Sequence, residues 1–228
     1  SEDGTTLIQP LTSVKGLGDS AIDQVFAGRP FNKIEDFLFN EKMTYSKLNK
    51  KALDVLVRSH ALDCLKDDRF SGSKHFWTAV AVERPRKEKD LTENITKYYP
   101  EGDFSTEEKI ENLTNLTGVF PMHLVVDESI TNELRDLGVP PISDFDPMLG
   151  AAWFIPRKVT PRQTKNGKTY WVVQVIDENN VISHIKCWGV RPGKDNIHLN
   201  RAYMARLDHS EQWGFSSRSI SRFFRMLG

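Results

Sequence analysis

Close to its start the chain contains the stretch Leu11-Thr12-Ser13-Val14-Lys15-Gly16-Leu17-Gly18-Asp19, which joins an apolar helical turn to a new helix through a turn with two glycines. Glycine has no Cβ atom, so Gly16 and Gly18 can adopt positive φ angles and let the backbone approach a ligand closely. Amides that follow such a turn at a helix N-terminus form a ready site for a phosphate oxygen. The predicted phosphate contacts are Lys15, Gly16, Leu17, Gly18, Asp19 and Ser20.

Short helices joined by tight turns are predicted throughout residues 8–66. The segment Ser59-His60-Ala61-Leu62-Asp63 repeats the layout of the first turn, so the block contains two tandem turns of the helix-hairpin-helix pattern. This pattern binds the backbone of duplex DNA without reading the bases. His60 stands where a glycine is expected, and its β-carbon restricts how closely a phosphate can approach. The second turn, with His60 and Ala61, is therefore either a further phosphate contact or a support that packs the first turn.

Charge is distributed unevenly, although the formal net charge of the 228 residues is zero. Residues 157–228 contain 13 Lys or Arg against 5 Asp or Glu, whereas residues 90–146 contain 3 against 13. A basic segment of this kind favours an anionic partner, and the acidic segment is predicted to form helices that connect two domains.

Several classes of protein and site are disfavoured by composition. Cys64 and Cys187 lie in different predicted domains, which argues against a disulfide framework and favours a reducing cytoplasm. We expect no membrane partner, because there is neither a signal peptide nor an apolar run of membrane length. The chain opens at Ser1 without a methionine, so we expect a piece of a longer polypeptide. The spacing of the histidines and cysteines predicts no metal site, and Asp144 and Asp146 favour a turn over Mg²⁺ binding. Motifs for a P-loop, a dinucleotide site or a nucleophile elbow are absent from the sequence.

From Ala151 onward the apolar pattern has a period of two. Strands are predicted at residues 151–163, 168–177, 181–188, 201–209 and 213–219, and Asn166-Gly167 is a typical hairpin turn. Strands in this order, with an irregular stretch between the third and the fourth, predict a five-stranded OB-fold β-barrel. A short helix is predicted within residues 219–227.

Aromatic and basic side chains alternate on the predicted barrel face, and OB barrels bind single strands through such residues. Tyr170 is a better contact candidate than Trp171, because Trp171 shares strand parity with Val173 and Val175. Trp188 either faces a bound strand or ends inside the barrel. The predicted single-strand contacts are Arg157, Lys158, Arg162, Lys165, Lys168, Tyr170, His184, Lys186, Trp188 and Arg191. Three further arginines either extend this patch or flank the terminal helix: Arg218, Arg222 and Arg225.

The predicted fold class is therefore α+β and multidomain. Residues 1–66 are predicted to form an all-α tandem helix-hairpin-helix domain that binds duplex DNA. Residues 67–147 are predicted to form a linker and an acidic helical connector, and residues 148–228 the OB-fold domain.

The order of these parts resembles the C-terminal region of the bacterial DNA polymerase III alpha subunit, a family C replicative polymerase. The resemblance extends over nearly the whole chain. It is carried by Val14–Gly18 with Pro30–Phe37, by Leu48–Leu65, by Glu107–Phe120, and by Leu137–Val139 with Arg162–Lys168.

The resemblance implies a region of a bacterial or phage polymerase in which the hairpins hold duplex DNA and the barrel holds single-stranded template in the cytoplasm. The family's catalytic carboxylates have no counterpart in this sequence, so the region is expected to be non-catalytic. No cofactor is expected in it, because the resemblance implies Mg²⁺ only at the polymerase active site, which these residues do not include. The glutamine of the family's sliding-clamp peptide is missing between residues 66 and 150, which puts clamp binding in doubt. Two alternatives stay open. One is a protein-interaction module that recruits replication partners on the same scaffold, and the other is a nuclease or ligase fragment.

Overall fold

The computed structural model describes residues 10–44, 46–191 and 193–228 and divides into two compact units, with the boundary between Phe120 and Pro121. The described residues contain eight α-helices and one seven-stranded sheet, so the α+β class is confirmed. Among these residues, every helix is too short or too polar to cross a lipid bilayer.

Helices alone form the N-terminal unit. They are a 3-10 turn (Leu11–Ser13), α1 (Asp19–Gly28), α2 (Ile34–Leu38), α3 (Lys50–Arg58), a 3-10 turn (Asp63–Leu65), α4 (Ser73–Trp77) with a π-helical turn (Thr78–Val82), α5 (Glu88–Tyr98) and α6 (Thr106–Thr117). The apolar faces of α1 to α5 share one core, in which Phe37 of α2, Leu53 and Leu56 of α3, and Phe76 of α4 are fully buried. Burial of such side chains contributes about 1.5–3 kcal/mol each.

Side-chain caps fix where several of these helices begin. Asn49 Oδ1 accepts the amide of Ala52 at 3.0 Å and begins α3. The sequence offers Ser105 or Thr106 as the cap of α6, and the structure uses Ser105, whose Oγ accepts the amide of Glu108 at 3.2 Å. Asn32 and Glu35 have the spacing of a capping box in the sequence, but they do not form one. The carboxylate of Asp36 instead accepts the amide of Asn32 at 3.0 Å, and α2 begins one residue later than that pairing requires.

Residues of the predicted connector contribute to both units. Helices α4 and α5 supply Phe76 and Leu91 to the core of the N-terminal unit. Helix α7 (Glu128–Leu137) belongs to the C-terminal unit, where Asp127 caps it and Gly138 ends it with a φ of +60°. The division into three domains at residues 66 and 147 stays a prediction.

The C-terminal unit is built around one sheet. Its strands are β1 (Ala151–Gln163), β2 (Thr169–Ile176), β3 (Ile182–Cys187), β4 (Tyr203–Arg206), β5 (Asp208–Ser210), β6 (Gly214–Ser217) and β7 (Phe224–Met226), with α8 (Ile220–Phe223) before the last. The strand order is β5-β6-β3-β2-β1-β4-β7, and β3 pairs with β6 in parallel whereas the other pairs are antiparallel.

The described residues form seven strands, whereas five were predicted. Two features of the structure explain the difference. The predicted strand at 201–209 is interrupted at Leu207, which is buried and donates its amide to Gly150 O at 3.0 Å, so it becomes β4 and β5. The predicted terminal helix is only α8, because Phe224–Met226 continues as β7 and pairs with β4.

The sheet curls on itself. Strands β4 and β5 are separated in the chain by Leu207 alone, yet they lie near opposite ends of the strand order. The concave side encloses an apolar core to which β1, β2 and β3 contribute Phe154, Val173 and Ile185. On the opposite side of these strands Trp153, Ile155 and Ile176 are also buried, whereas further along the strands Lys158, Arg162 and His184 are exposed.

Candidate functional site

The two glycines of the first hairpin turn, residues 14–18, have different backbone conformations and different roles. Gly16 has a φ of +88°, the left-handed region that favours glycine, whereas Gly18 is extended with a φ of −83° and caps α1. A Cβ atom at Gly16 would lie 3.4 Å from Val55 Cγ2, but one at Gly18 would have none of the described residues within 4 Å. The expectation of positive φ is therefore right for Gly16 and wrong for Gly18, which instead leaves the surface open.

Four backbone amides at this turn are free to donate. In the part of the chain that the structure describes, the amides of Gly16, Gly18, Asp19 and Ser20 have no hydrogen-bond acceptor. They lie at or just before the N-terminus of α1, where the helix dipole favours a negative group. This arrangement can hold the oxygens of a phosphate without any side chain.

The other two predicted residues of this turn are engaged differently. The Lys15 amide donates to Leu116 O at 2.7 Å, so the exposed Lys15 side chain, and not its amide, is available to an anion. Leu17 packs against the apolar core and anchors the turn.

The second hairpin turn, residues 58–62, uses its amides internally. His60 has a φ of +64°, and its amide and that of Ala61 donate to Val57 O and Leu56 O, both at 3.0 Å. His60 Nδ1 also lies 2.7 Å from Asp63 Oδ2. Because both amides close the end of α3, this geometry favours the supporting role for the second turn.

The outer face of the sheet forms a regular array. We define it as Lys158, Thr160 and Arg162 of β1, Tyr170, Val172 and Gln174 of β2, and His184, Lys186 and Trp188 on and just after β3. The strand registers place these residues in three rows across the sheet, such as Thr160–Val172–Lys186. The array contains three Lys or Arg and no Asp or Glu, so it attracts anions.

An aromatic stack occupies one row of the outer face. The rings of Tyr170 and Trp188 are 4.5 Å apart with an interplanar angle of 26°, and Trp188 remains 37% exposed. Trp171 packs against the core on the other side of the sheet, as its parity predicts. The two alternatives for Trp188 are thereby resolved in favour of the outside, where a base can stack on it.

Trp213 is a candidate contact that sequence reasoning missed. It lies in the turn between β5 and β6, is 64% exposed, and has Lys186 Nζ 5.1 Å from its ring centroid. The same Nζ donates to Trp213 O at 3.1 Å. The signal available in Ser210-Glu211-Gln212-Trp213-Gly214 was a tryptophan that follows polar residues at the start of the predicted strand 213–219.

The remaining predicted contacts are not all on the outer face. Lys165 and Lys168 are exposed in the turn between β1 and β2. Arg157 sits at a β-bulge, is half-buried and donates to Asn200 Oδ1, and its burial lowers the pKa of its guanidinium. Arg191 donates to Ser221 Oγ at 2.6 Å. The arginines considered as extensions of the patch lie elsewhere: Arg218 near Asp208, Arg222 over Phe223, and Arg225 paired with Glu133.

The two cysteines are both free, and Cys64 is exposed whereas Cys187 is buried. Among the described residues, no group of three or more His, Cys, Asp or Glu side chains is arranged to hold a metal ion. Burial raises the pKa of the Cys187 thiol to about 12, which keeps it protonated and unreactive.

Comparison with known families assigns the first part of the chain. Residues 1–71 match the family model of the helix-hairpin-helix motif, about a third of the chain. No curated protein matches the chain. Helix-hairpin-helix motifs generally bind DNA, so the N-terminal region is a helix-hairpin-helix region whose motif indicates nucleic-acid binding.

Proposed function

We propose that this chain is the non-catalytic DNA-binding region of a polymerase III alpha-like replicative polymerase. The observation that carries the proposal is the first hairpin turn, with its free amides at Gly16, Gly18, Asp19 and Ser20 in a region that matches the helix-hairpin-helix motif. These amides bind phosphates of duplex DNA, and the exposed Lys15 side chain adds a positive charge.

The curled sheet is proposed to be an OB barrel. Three features support this assignment: the antiparallel order of β1, β2 and β3, the pairing of β1 with β4, and the parallel pairing of β3 with β6. If β4 and β5 are two halves of one strand bent at Leu207, then β1, β2, β3, this bent strand and β6 are the five strands of the barrel.

The outer face is proposed to bind single-stranded DNA. The Tyr170–Trp188 stack and the exposed Trp213 provide ring surfaces for bases, and Lys158, Arg162 and Lys186 provide charges for phosphates. This combination binds single strands with little sequence preference, because every base has a face that can stack.

The role in replication rests on the resemblance to the polymerase family in the order of its sequence segments. In this proposal the nucleotidyl transfer and its Mg²⁺ belong to other parts of the polymerase, and the region acts in the cytoplasm of a bacterium or of an infected host. A sliding clamp or other replication proteins are proposed as further partners of the whole polymerase. No peptide of this chain is assigned to their binding.

A salt titration tests the proposed function. The intact chain is titrated with a labelled duplex and a labelled oligodeoxythymidine at several salt concentrations. If about four phosphates of the duplex are neutralised, log affinity falls with log salt at a slope of roughly −3 to −4. Absence of DNA binding at low salt overturns the proposal, and capture of replication proteins without DNA affinity would favour a protein-interaction module instead.

A further inference from the structure

A cavity of about 700 Å³ lies in the C-terminal unit where β4 bends into β5. It is lined by the ends of β4 and β6, by the residues that precede β1, and by α8. None of the outer-face residues lines it. The size is within the usual range of small-molecule sites, about 300–1,000 Å³.

Two arginines give the cavity a positive character. The side chain of Arg206 is exposed and has no hydrogen-bond or ion-pair partner among the residues that the structure describes, although its backbone pairs with Ala151 of β1. Arg218 Nε lies 3.6 Å from Asp208 Oδ2, but both side chains are largely exposed, so this pair is weak. With one carboxylate and two guanidinium groups, the lining retains one excess positive charge.

A buried hydroxyl is the second observation that indicates a ligand. Ser217 also lines the cavity and is 2% exposed, and its Oγ has no hydrogen-bond partner among the described residues. A buried polar group without a partner costs about 1–3 kcal/mol, so native proteins rarely keep one without a reason. A ligand oxygen in the cavity would give this hydroxyl an acceptor.

The rest of the lining is apolar. Leu149 and Phe223 present apolar surface next to the arginines. A ligand that fits both parts has an anionic group and a flat or apolar body, which is the chemistry of a nucleoside phosphate.

We propose that this cavity binds one nucleotide unit of the single strand that the outer face holds, with Arg206, Arg218 and Ser217 on its phosphate. The inference rests on the proposed single-strand binding. A phosphate of a strand and the phosphate of a free mononucleotide present the same oxygens, so the experiment includes both.

The test measures binding of oligodeoxythymidine, thymidine 5′-monophosphate and inorganic phosphate by the intact chain. Arg206→Gln and Arg218→Gln are each expected to weaken oligonucleotide binding about tenfold, the loss typical of a hydrogen bond to a charged group. Asp208→Asn removes the competing carboxylate and is expected to strengthen binding. Ser217→Ala is expected to weaken binding several-fold without lowering the melting temperature, because the hydroxyl has no partner in the part of the chain that the structure describes. Arg201→Gln, the same charge change outside the cavity, is the control.

The possible outcomes are distinct. Loss of oligonucleotide affinity in both arginine variants but not in the control supports the inference. Variants that lose only mononucleotide or inorganic phosphate binding overturn it, because the cavity then takes a free ligand. If Tyr170→Ala weakens oligonucleotide binding and the cavity variants do not, the inference fails while single-strand binding stands. If the intact chain binds no oligonucleotide, the proposed function fails as well.

Discussion

Gly16 and His60 occupy corresponding positions in the two hairpin turns, and both have left-handed backbone, with φ angles of +88° and +64°. Asp19 and Asp63 then follow at the same spacing and begin α1 and a 3-10 turn. The two turns share a backbone shape, but only the first leaves a cluster of four free amides within the described residues.

The substitution Gly18→Val is expected to weaken DNA binding without disturbing the fold. Because a Cβ atom at Gly18 meets none of the described residues within 4 Å and φ is −83°, a side chain is tolerated by the fold but blocks the approach of a phosphate. We expect roughly tenfold weaker duplex binding, the loss of about one hydrogen bond to a charged group, with a nearly unchanged melting temperature. Fluorescence anisotropy and thermal unfolding measure the two quantities.

Two variants control this prediction. Ala27→Val adds bulk at the exposed far end of α1 and should leave duplex affinity unchanged. Gly16→Val forces a β-branched residue into a positive φ and should lower the melting temperature. Equal loss of duplex affinity in Ala27→Val and Gly18→Val would count against a phosphate site at the turn.

Substitution of His60 tests the supporting role of the second turn. His60→Val places a β-branched residue at a φ of +64° and should be about 1–2 kcal/mol less stable than His60→Gly, which accepts this φ without strain. Denaturant unfolding measures the difference. Duplex affinity should change little in His60→Gly, since the amide of residue 60 donates to Val57 O in either case. A large loss of duplex affinity in His60→Gly would instead show that the imidazole contacts DNA.

Removal of either stacked ring should weaken single-strand binding selectively. Tyr170→Ala or Trp188→Ala loses stacking worth about 1–3 kcal/mol per base, so affinity for oligodeoxythymidine should fall about 5- to 140-fold. Duplex affinity should stay within a factor of about two, because the hairpin turn is unchanged. Met148→Ala, at a 96% exposed apolar side chain outside the outer face, is the control. Unchanged single-strand affinity in both aromatic variants would exclude the outer face as the binding surface.

Asp103 gives the N-terminal unit a pH-dependent contact. Its carboxylate accepts the amide of Ser73 at 2.7 Å and Ser73 Oγ at 2.9 Å, and these bonds, the amide first, hold the pKa of Asp103 below its ordinary value of 3.8. Because the folded-state pKa is depressed, the stabilisation is fully present above that ordinary value and is lost as the pH falls through the folded-state pKa. Asp103→Asn should therefore have a lower melting temperature than the wild type at neutral pH. In acid the two melting temperatures should become similar.

Thermal unfolding across pH measures this effect, and the exposed Asp68→Asn is the control. The contact lies where two loops meet closely, since a Cβ atom at Gly72 would lie 2.3 Å from the carbonyl carbon of Gly102. A constant difference between Asp103→Asn and the wild type at all pH values would contradict an ionised acceptor.

The sequence by itself determined the elements whose cause is local. Gly16 in the first turn, the Ser105–Glu108 cap of α6, the Gly138 end of α7 and the Asn166-Gly167 turn each follow from the conformational preference of a few neighbouring residues. The alternation of β2 and β3 likewise predicts that Trp171 faces the core and that His184 and Lys186 face out.

Only the tertiary structure decided features that depend on residues distant in the chain. The Lys15 amide is occupied because Leu116, about a hundred residues later, supplies the acceptor. The predicted fourth strand breaks because Leu207 donates to Gly150, and Trp188 stays outside because Tyr170 on the neighbouring strand supports its ring. Pattern and propensity describe neighbours in sequence, whereas these outcomes are set by long-range hydrogen bonds and packing, which become defined only when the chain has folded.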